Sequence, residues 1–230
     1  MKCIAVDMGG KCIKEPRCSF CYVGDIHENL WATSDAIDAL HDNWPSATIA
    51  MEYSGYNLAW WLDVLCYYNE TPTITMTTMP QCVTPALCGA IKAHGWSAIS
   101  ISYNSEVCRS VAEWVLAAKI ARHAGLSVGC NFLLEAPFEP FVARDILTNA
   151  DQLNILSMKP TGELSQAELG QLEAIIEEEY KRYTQVTVDN CLGVQLGLID
   201  GCRRGKDFVH VLCDGTIEDC CFKGGCHLYE

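Results

Sequence analysis

The sequence has no stretch in which lysine and arginine concentrate. Across 230 residues, 16 basic side chains stand against 29 acidic ones, for a formal charge of −13. Neutralising a phosphate backbone needs a basic face, so a nucleic-acid partner is disfavoured. No apolar run approaches the ~20 residues needed to cross a bilayer, so no membrane span is expected. The opening MKCIAVDMGG is too short and too quickly polar for a signal peptide.

Hydrophobic residues make up half of the chain, enough for one sizeable domain with a small appendage. Cysteine is abundant, at 15 residues. In a short exported chain that count would suggest a disulfide scaffold. Here the export signal is missing, and nine of the cysteines, from Cys3 to Cys130, sit inside ordinary core patterns. The expectation is a reducing cytoplasm, low in oxygen, with Cys66, Cys88 and Cys108 acting as small buried hydrophobes.

Extended runs alternate with helical ones. Strands are expected at Lys2–Met8, Thr48–Tyr53, Thr73–Thr78, Ser97–Tyr103, Ser127–Leu134 and Gln152–Met158. Leu58, Trp61, Leu62 and Leu65 follow helical spacing. Thr84–Pro85 gives a cap and a first-turn proline, and Gly95 stops that helix. Ser165 to Glu168 reads as a capping box. His94 and His123 fall near helix C-termini, where the dipole favours them. Six strand–helix units imply parallel strands with right-handed crossovers. A closed eightfold barrel needs roughly 250 residues, so the expected fold is α/β, a partial (βα)6 barrel over 1–182. A doubly wound open sheet is the alternative.

The strands are not apolar on both faces, as doubly covered strands should be. Thr73, Thr75 and Thr77 share a face, as do Ser100 and Ser102. Glu52 shares one with Ala50, Asp7 with Ala5, and Asn131 with Gly129 and Glu135. If the apolar faces meet the helices, the polar faces line an open cavity for a polar ligand.

The run CIKEPRCSFCYVG places Cys12, Cys18 and Cys21 after the first strand, at the end where such folds hold their chemistry. Thiolates at this density bind zinc or iron–sulfur clusters. Three ligands leave one iron of a 4Fe–4S cluster open. The segment resembles the radical S-adenosylmethionine (SAM) superfamily, whose usual motif is C-x3-C-x2-C with an aromatic before the third cysteine. Here the spacing is C-x5-C-x2-C and Phe20 fills the aromatic place. The resemblance extends along the barrel. SGYNL, Ser54–Leu58, falls where the family has a Gly-Gly-Glu-Pro-like segment whose backbone receives the SAM amino group. Gly55 matches it, Ser54 replaces a glycine, and Tyr56 replaces the glutamate. ISISYN, carrying Ser100, Ser102 and Asn104, is similar to the strand 4 segment that approaches the ribose and carboxylate of SAM. VGCNFLLE and LSMKPTG look like strands 5 and 6, with Asn131 facing inward.

After Arg182 helical periodicity stops, and six cysteines fall within Cys191–Cys226. Residues 183–230 are expected to form a small cysteine-rich hairpin subdomain. Asp207–Cys213 and Thr216–Glu218 read as strands joined at Asp214–Gly215. The spacing from Cys202 through Gly215 to Cys220 resembles the opening of the twitch and SPASM subdomains of the same superfamily. The resemblance implies an auxiliary 4Fe–4S cluster held by Cys202 and Cys220, with Cys191 and Cys226 to complete it and Cys213 and Cys221 as competitors. A structural zinc knuckle is the other reading.

The resemblance thus implies reductive cleavage of SAM at a 4Fe–4S cluster, giving a 5′-deoxyadenosyl radical that takes hydrogen from a small-molecule or peptide substrate. It also implies a reductant such as flavodoxin or ferredoxin. Lys159, Glu52, Tyr56 and Glu135 are candidates to touch substrate or move protons. Because the sequence opens at the first strand, leader-peptide recognition in cis is not expected. A zinc or iron–sulfur binding or electron-transfer protein without catalysis remains the alternative.

Overall fold

The structure is a computed structural model that describes residues 2–18, 27–66, 73–135, 140–157, 165–180, 185–203 and 205–220. Six strand–helix units run β1 (Cys3–Asp7), α1 (Leu30–Asn43), β2 (Thr48–Tyr53), α2 (Leu58–Leu65), β3 (Ile74–Thr78), α3 (Pro85–Ala93), β4 (Ala98–Tyr103), α4 (Val111–His123), β5 (Ser127–Leu134), α5 (Pro140–Leu147), β6 (Gln152–Ser157) and α6 (Gln166–Tyr180). They are followed by β7 (Gln185–Val188), α7 (Asn190–Gln195), β8 (Phe208–Val211) and β9 (Ile217–Glu218). One nine-stranded sheet has the order β7-β6-β5-β4-β3-β2-β1-β8-β9. Every pair is parallel except β8–β9. The end strands do not pair with each other among the described residues, so the sheet is a partial α/β barrel. No described helix is long and apolar enough to cross a membrane.

Alternation along each strand sorts the two faces. Ile4, Val6, Ile49, Met51, Met76, Ile99, Ile101, Val128 and Cys130 are buried outward against the helices. Trp61, Trp96 and Trp114 fill the same layer, fully buried. Local signals set the helix ends. Thr84 Oγ1 accepts the Leu87 N–H at 3.1 Å, and Gly95 takes φ +81° after α3. The Ser165–Glu168 box closes reciprocally, with the Ser165 N–H donating to Glu168 Oε2 at 2.9 Å and the Glu168 N–H to Ser165 Oγ at 3.3 Å. His94 Nδ1 lies 2.8 Å from the Ala90 carbonyl, a C-terminal contact of α3.

Two features depart from the sequence reading. β7 was not expected, and β8 is not detached from the barrel. Six strands would leave both sheet edges with unpaired backbone groups. β7 pairs with β6 on one edge, and β8 lies parallel to β1 on the other, with Ala5 opposite His210. The hairpin itself forms as read. Gly215 takes φ +87°, its N–H reaches the Leu212 carbonyl at 2.9 Å, and the Leu212 N–H reaches the Thr216 carbonyl at 2.9 Å.

Candidate functional site

The inward faces enclose a cavity of about 1510 Å³. Polar side chains from β1 to β7 reach its wall, where the alternation placed them. Sheet register stacks the wall in layers: Asp7, Glu52, Thr77 and Ser100 lie side by side, and Ser102 aligns with Asn131 and Asn154. An amide relay ties the β3–β7 side together. Asn131 Nδ2 donates to Thr77 Oγ1 at 3.3 Å, Asn154 Nδ2 to Asn131 Oδ1 at 2.8 Å, and Thr187 Oγ1 to Asn154 Oδ1 at 2.6 Å. Gly129 makes room for a hydroxyl in this wall: a Cβ there would stand 2.7 Å from Ser100 Oγ. Asn104 also lines the cavity, but its Oδ1 accepts the N–H groups of Glu106 and Val107, both at 3.0 Å. Its nearer task is to shape the loop after β4.

The cysteine loop sits at the C-terminal mouth of the strands. The chain leaves β1 through two left-handed glycines, Gly9 at φ +74° and Gly10 at φ +85°. The Met8 carbonyl is held twice, by Trp61 Nε1 at 2.9 Å and Asn57 Nδ2 at 3.0 Å. Glu28 Oε2 accepts from the Gly10 N–H at 2.7 Å and from Asn57 Nδ2 at 3.0 Å. The loop then lies directly on the segment after β2. The Ile13 N–H donates to the Ser54 carbonyl at 3.2 Å. A Cβ on Gly55 would stand 2.3 Å from Ile13 Cγ2, and one on Gly10 2.4 Å from Tyr56 Cβ.

Cys12 and Cys18 both line the cavity and are partly exposed. The Lys14 N–H points at Cys12 Sγ at 3.4 Å. That is the kind of backbone donor that supports a thiolate bound to a metal. Soft sulfur donors on one loop suit an iron–sulfur cluster or zinc. Cys21 and Phe20 lie outside the described residues, as do Lys159 and Cys226. Among the described residues, no three His, Cys, Asp or Glu side chains are grouped to hold a metal ion.

The structure brings Ser54, Ser100, Ser102, Asn104, Asn131 and Glu52 to the cavity. Gly55 and Tyr56 stand just outside it, packed under the cysteine loop. Glu135 is turned to the loop after β4, where its two oxygens accept the Ser105 N–H at 3.2 and 3.0 Å. Cys191, Cys202, Cys213 and Cys220 all reach the cavity from the C-terminal segment. The hairpin brings 202 and 220 to one end, because the Gly205 N–H donates to the Asp219 carbonyl at 3.2 Å.

One constellation was missed from sequence. His210 of β8 is fully buried, with Nε2 3.2 Å from Glu52 Oε2. It reaches across β1, and the small Ala5 opposite it in register leaves the path clear. Burial disfavours the charged imidazole, but the Glu52 carboxylate, with Asp7 behind it, outweighs burial and raises the His210 pKa. Asp7 is also raised, chiefly by burial. Burial and the Asp7 charge push the Cys213 thiol up to about 12. Burial and Glu52 push Cys3 up to about 11. Both thiols are therefore neutral at physiological pH.

Gly10 gives a direct test of how the loop is seated. Gly10→Ala is expected to destabilise the protein by more than about 1 kcal/mol, since it combines a positive φ with a clash against an atom fixed to the Tyr56 backbone. Urea unfolding measures this. A loss below about 0.5 kcal/mol would mean that the loop is not packed on Tyr56.

No family model matches the chain, and no curated protein matches it. Solved structures do. The crystal structure of SuiB from Streptococcus suis superposes with a TM-score of 0.71 at 12% identity, over 95% of this chain and 60% of that one. The same protein bound to S-adenosylmethionine matches with a TM-score of 0.71 over 99% of this chain and 60% of that one. This chain thus spans about three fifths of SuiB. A mutant tryptophan synthase α-subunit from Pyrococcus furiosus matches less closely, with a TM-score of 0.54 at 14% identity over 92% of this chain and 87% of that one. At these identities the likeness is one of fold: an α/β partial barrel shared with a protein that binds SAM.

Proposed function

We propose that this protein is a radical SAM enzyme, with Cys12, Cys18 and Cys21 holding a 4Fe–4S cluster whose fourth iron is open to SAM. The observation that carries the reading is the seating of the Cys12 loop on Ser54–Gly55, at the mouth of a lumen that polar side chains enter from the strands. The fold likeness to a protein crystallised with S-adenosylmethionine supports it. When bound, the cluster supplies one electron that cleaves SAM to methionine and a 5′-deoxyadenosyl radical, which takes a hydrogen atom from the substrate.

The chain's own residues bind, orient and shield. The backbone at Ser54–Gly55 receives the amino group of SAM. Ser100, Ser102 and Asn104 present polar groups to its ribose and carboxylate. Asn131 is held rigid by Thr77 and Asn154 and fixes the lumen wall. Preorganised polar groups of this kind orient a ligand without having to rearrange. By its place in the motif Phe20 belongs with the cofactor-binding residues, while Lys159, Glu52 and Tyr56 are the candidates for contact with substrate or for proton transfer.

Residues 1–182 carry this chemistry. Residues 183–230 carry an auxiliary 4Fe–4S centre of twitch type, ligated by Cys191, Cys202, Cys220 and Cys226. The reductant is a flavodoxin or ferredoxin, the substrate is a small molecule or peptide, and the setting is the reducing cytoplasm.

Anaerobically reconstituted protein is expected to hold about eight irons in two clusters and to bind SAM. Iron analysis and equilibrium dialysis check both. Zinc alone at both sites would replace this reading with that of a non-catalytic metal-binding protein.

A further inference from the structure

The wall formed by β1, β2 and β8 differs in character from the rest of the lumen. Strands β3–β7 present hydroxyls and amides that satisfy one another, and the carboxylate on that side, Asp189, is answered by the Ser157 N–H and hydroxyl and the Leu192 N–H. The other side carries charge. Asp7 and Glu52 are direct partners in the parallel β1–β2 register, so they face each other across one strand spacing of ~4.8 Å. Carboxylates so opposed repel unless a positive group stands between them.

His210 answers part of that charge from the Glu52 side. Asp7 feels the same imidazole, but less directly than Glu52 does. Asp7 is only 7% exposed. Its Oδ1 accepts the Gly9 N–H at 3.0 Å, but Oδ2 is buried without a hydrogen-bond donor among the described residues. The Cys213 thiol beside this carboxylate is a weak donor. The two lysines of the cysteine loop are engaged elsewhere, Lys11 with Glu15 and Lys14 with Glu106 and the Pro16 carbonyl. A buried carboxylate oxygen with only a thiol for a donor is costly, and Asp7 is among the residues that line the cavity.

We propose that Asp7 and Glu52, braced by His210, form a subsite on the β1–β2–β8 wall that binds a primary ammonium group of the substrate. An ammonium carries three donors and one charge on a compact head, so it can bridge two carboxylates at about 2.8 Å each. A metal ion is a poorer match. It needs several ligand atoms converging near 2.1–2.4 Å, and these side chains are not grouped in that way. The subsite gives the lumen a polarity: an anionic, cation-binding end at β1–β2–β8 and a hydroxyl-binding wall opposite. A substrate with an amine a few atoms from a polar, uncharged body fits it. That the amine belongs to a substrate rests on the enzymatic reading above, whereas the subsite itself does not.

The probe is n-butylammonium, with 1-butanol as its neutral counterpart. Each is titrated into anaerobically purified protein while the side-chain carboxyl carbons of Asp7 and Glu52 are followed by NMR. Saturable shifts with the ammonium and none with the alcohol are expected. Asp7→Asn and Glu52→Gln should each weaken the ammonium by about tenfold or more, the loss of one charged hydrogen bond. Glu52→Gln keeps the test decisive if Asp7→Asn does not fold. Equal shifts with butanol, no saturation, or unchanged binding in both variants overturns the proposal. So does displacement of the probe by SAM, since the site would then belong to the amino group of SAM. SAM binding is measured by dialysis on the same samples. If SAM fails to bind while butylammonium saturates, the enzymatic reading falls and the subsite stands.

Discussion

Alanine at any one of Cys12, Cys18 or Cys21 is expected to abolish formation of 5′-deoxyadenosine from SAM under reducing conditions, while the fold is retained. On the proposed reading each cysteine would supply one of three protein bonds to the cluster, and a lost ligand should lower the rate by about a hundredfold or more. The cost to stability is small because Cys12 and Cys18 sit on a partly exposed loop after β1, outside the fully buried core. Surface and loop changes of this kind cost within about 0.5–1 kcal/mol. Cys88 provides the contrast. It is fully buried on α3 among apolar neighbours, where burial raises its thiol pKa. Cys88→Ala should lower stability by about 1 kcal/mol or more and leave SAM cleavage intact. Product analysis by liquid chromatography, with urea unfolding of the same variants, separates the two classes. Unchanged 5′-deoxyadenosine in all three loop variants would remove the radical SAM assignment.

That contrast also marks what could be read in advance. A strand's period of two is local, so the threonines and serines of β3 and β4 could be placed on the inward face from sequence alone. Caps are local as well, and Thr84, Ser165 and Gly215 behave as their neighbours in sequence imply. The partnership of β8 with β1 is different. It joins residues about two hundred positions apart, and nothing in the run FVHV names the strand it will sit beside. His210 therefore read as an ordinary hairpin residue, although it ends fully buried against Glu52. Two signals were present in the sequence: a lone histidine in an otherwise apolar strand, and Ala5 as the small residue that admits it. Neither could be joined to the other without the register. β7 was hidden for a related reason. Gln185–Val188 is short and half polar, and it becomes a strand because the β6 edge needs a partner.

Trp61→Ala is expected to produce the largest loss of stability among single substitutions near the site, about 3–5 kcal/mol. The indole is fully buried. It packs edge-on to Trp60 at 4.7 Å between centroids, and its Nε1 donates to the Met8 carbonyl at 2.9 Å. Truncation therefore opens a cavity in the layer between the sheet and α2 and removes one of the two donors on that carbonyl. Met8 is the residue from which the chain turns out of β1 into Gly9, Gly10 and the cysteine loop. The second variant, Trp61→Phe, separates packing from positioning. A phenyl ring keeps most of the buried surface, so unfolding should move by only about 1–2 kcal/mol, the worth of the hydrogen bond and a small void. Asn57 Nδ2 still holds the Met8 carbonyl at 3.0 Å, so the loop should loosen without leaving its seat. If Trp61 positions the loop, Trp61→Phe binds SAM more weakly and cleaves it more slowly than its small loss of stability explains. If Trp61 only fills the core, Trp61→Phe behaves like the parent protein in SAM binding and cleavage, and only Trp61→Ala suffers. Urea unfolding together with SAM dialysis on both variants decides between them. A loss below about 1 kcal/mol in Trp61→Ala would show that the indole is not the pillar under this loop.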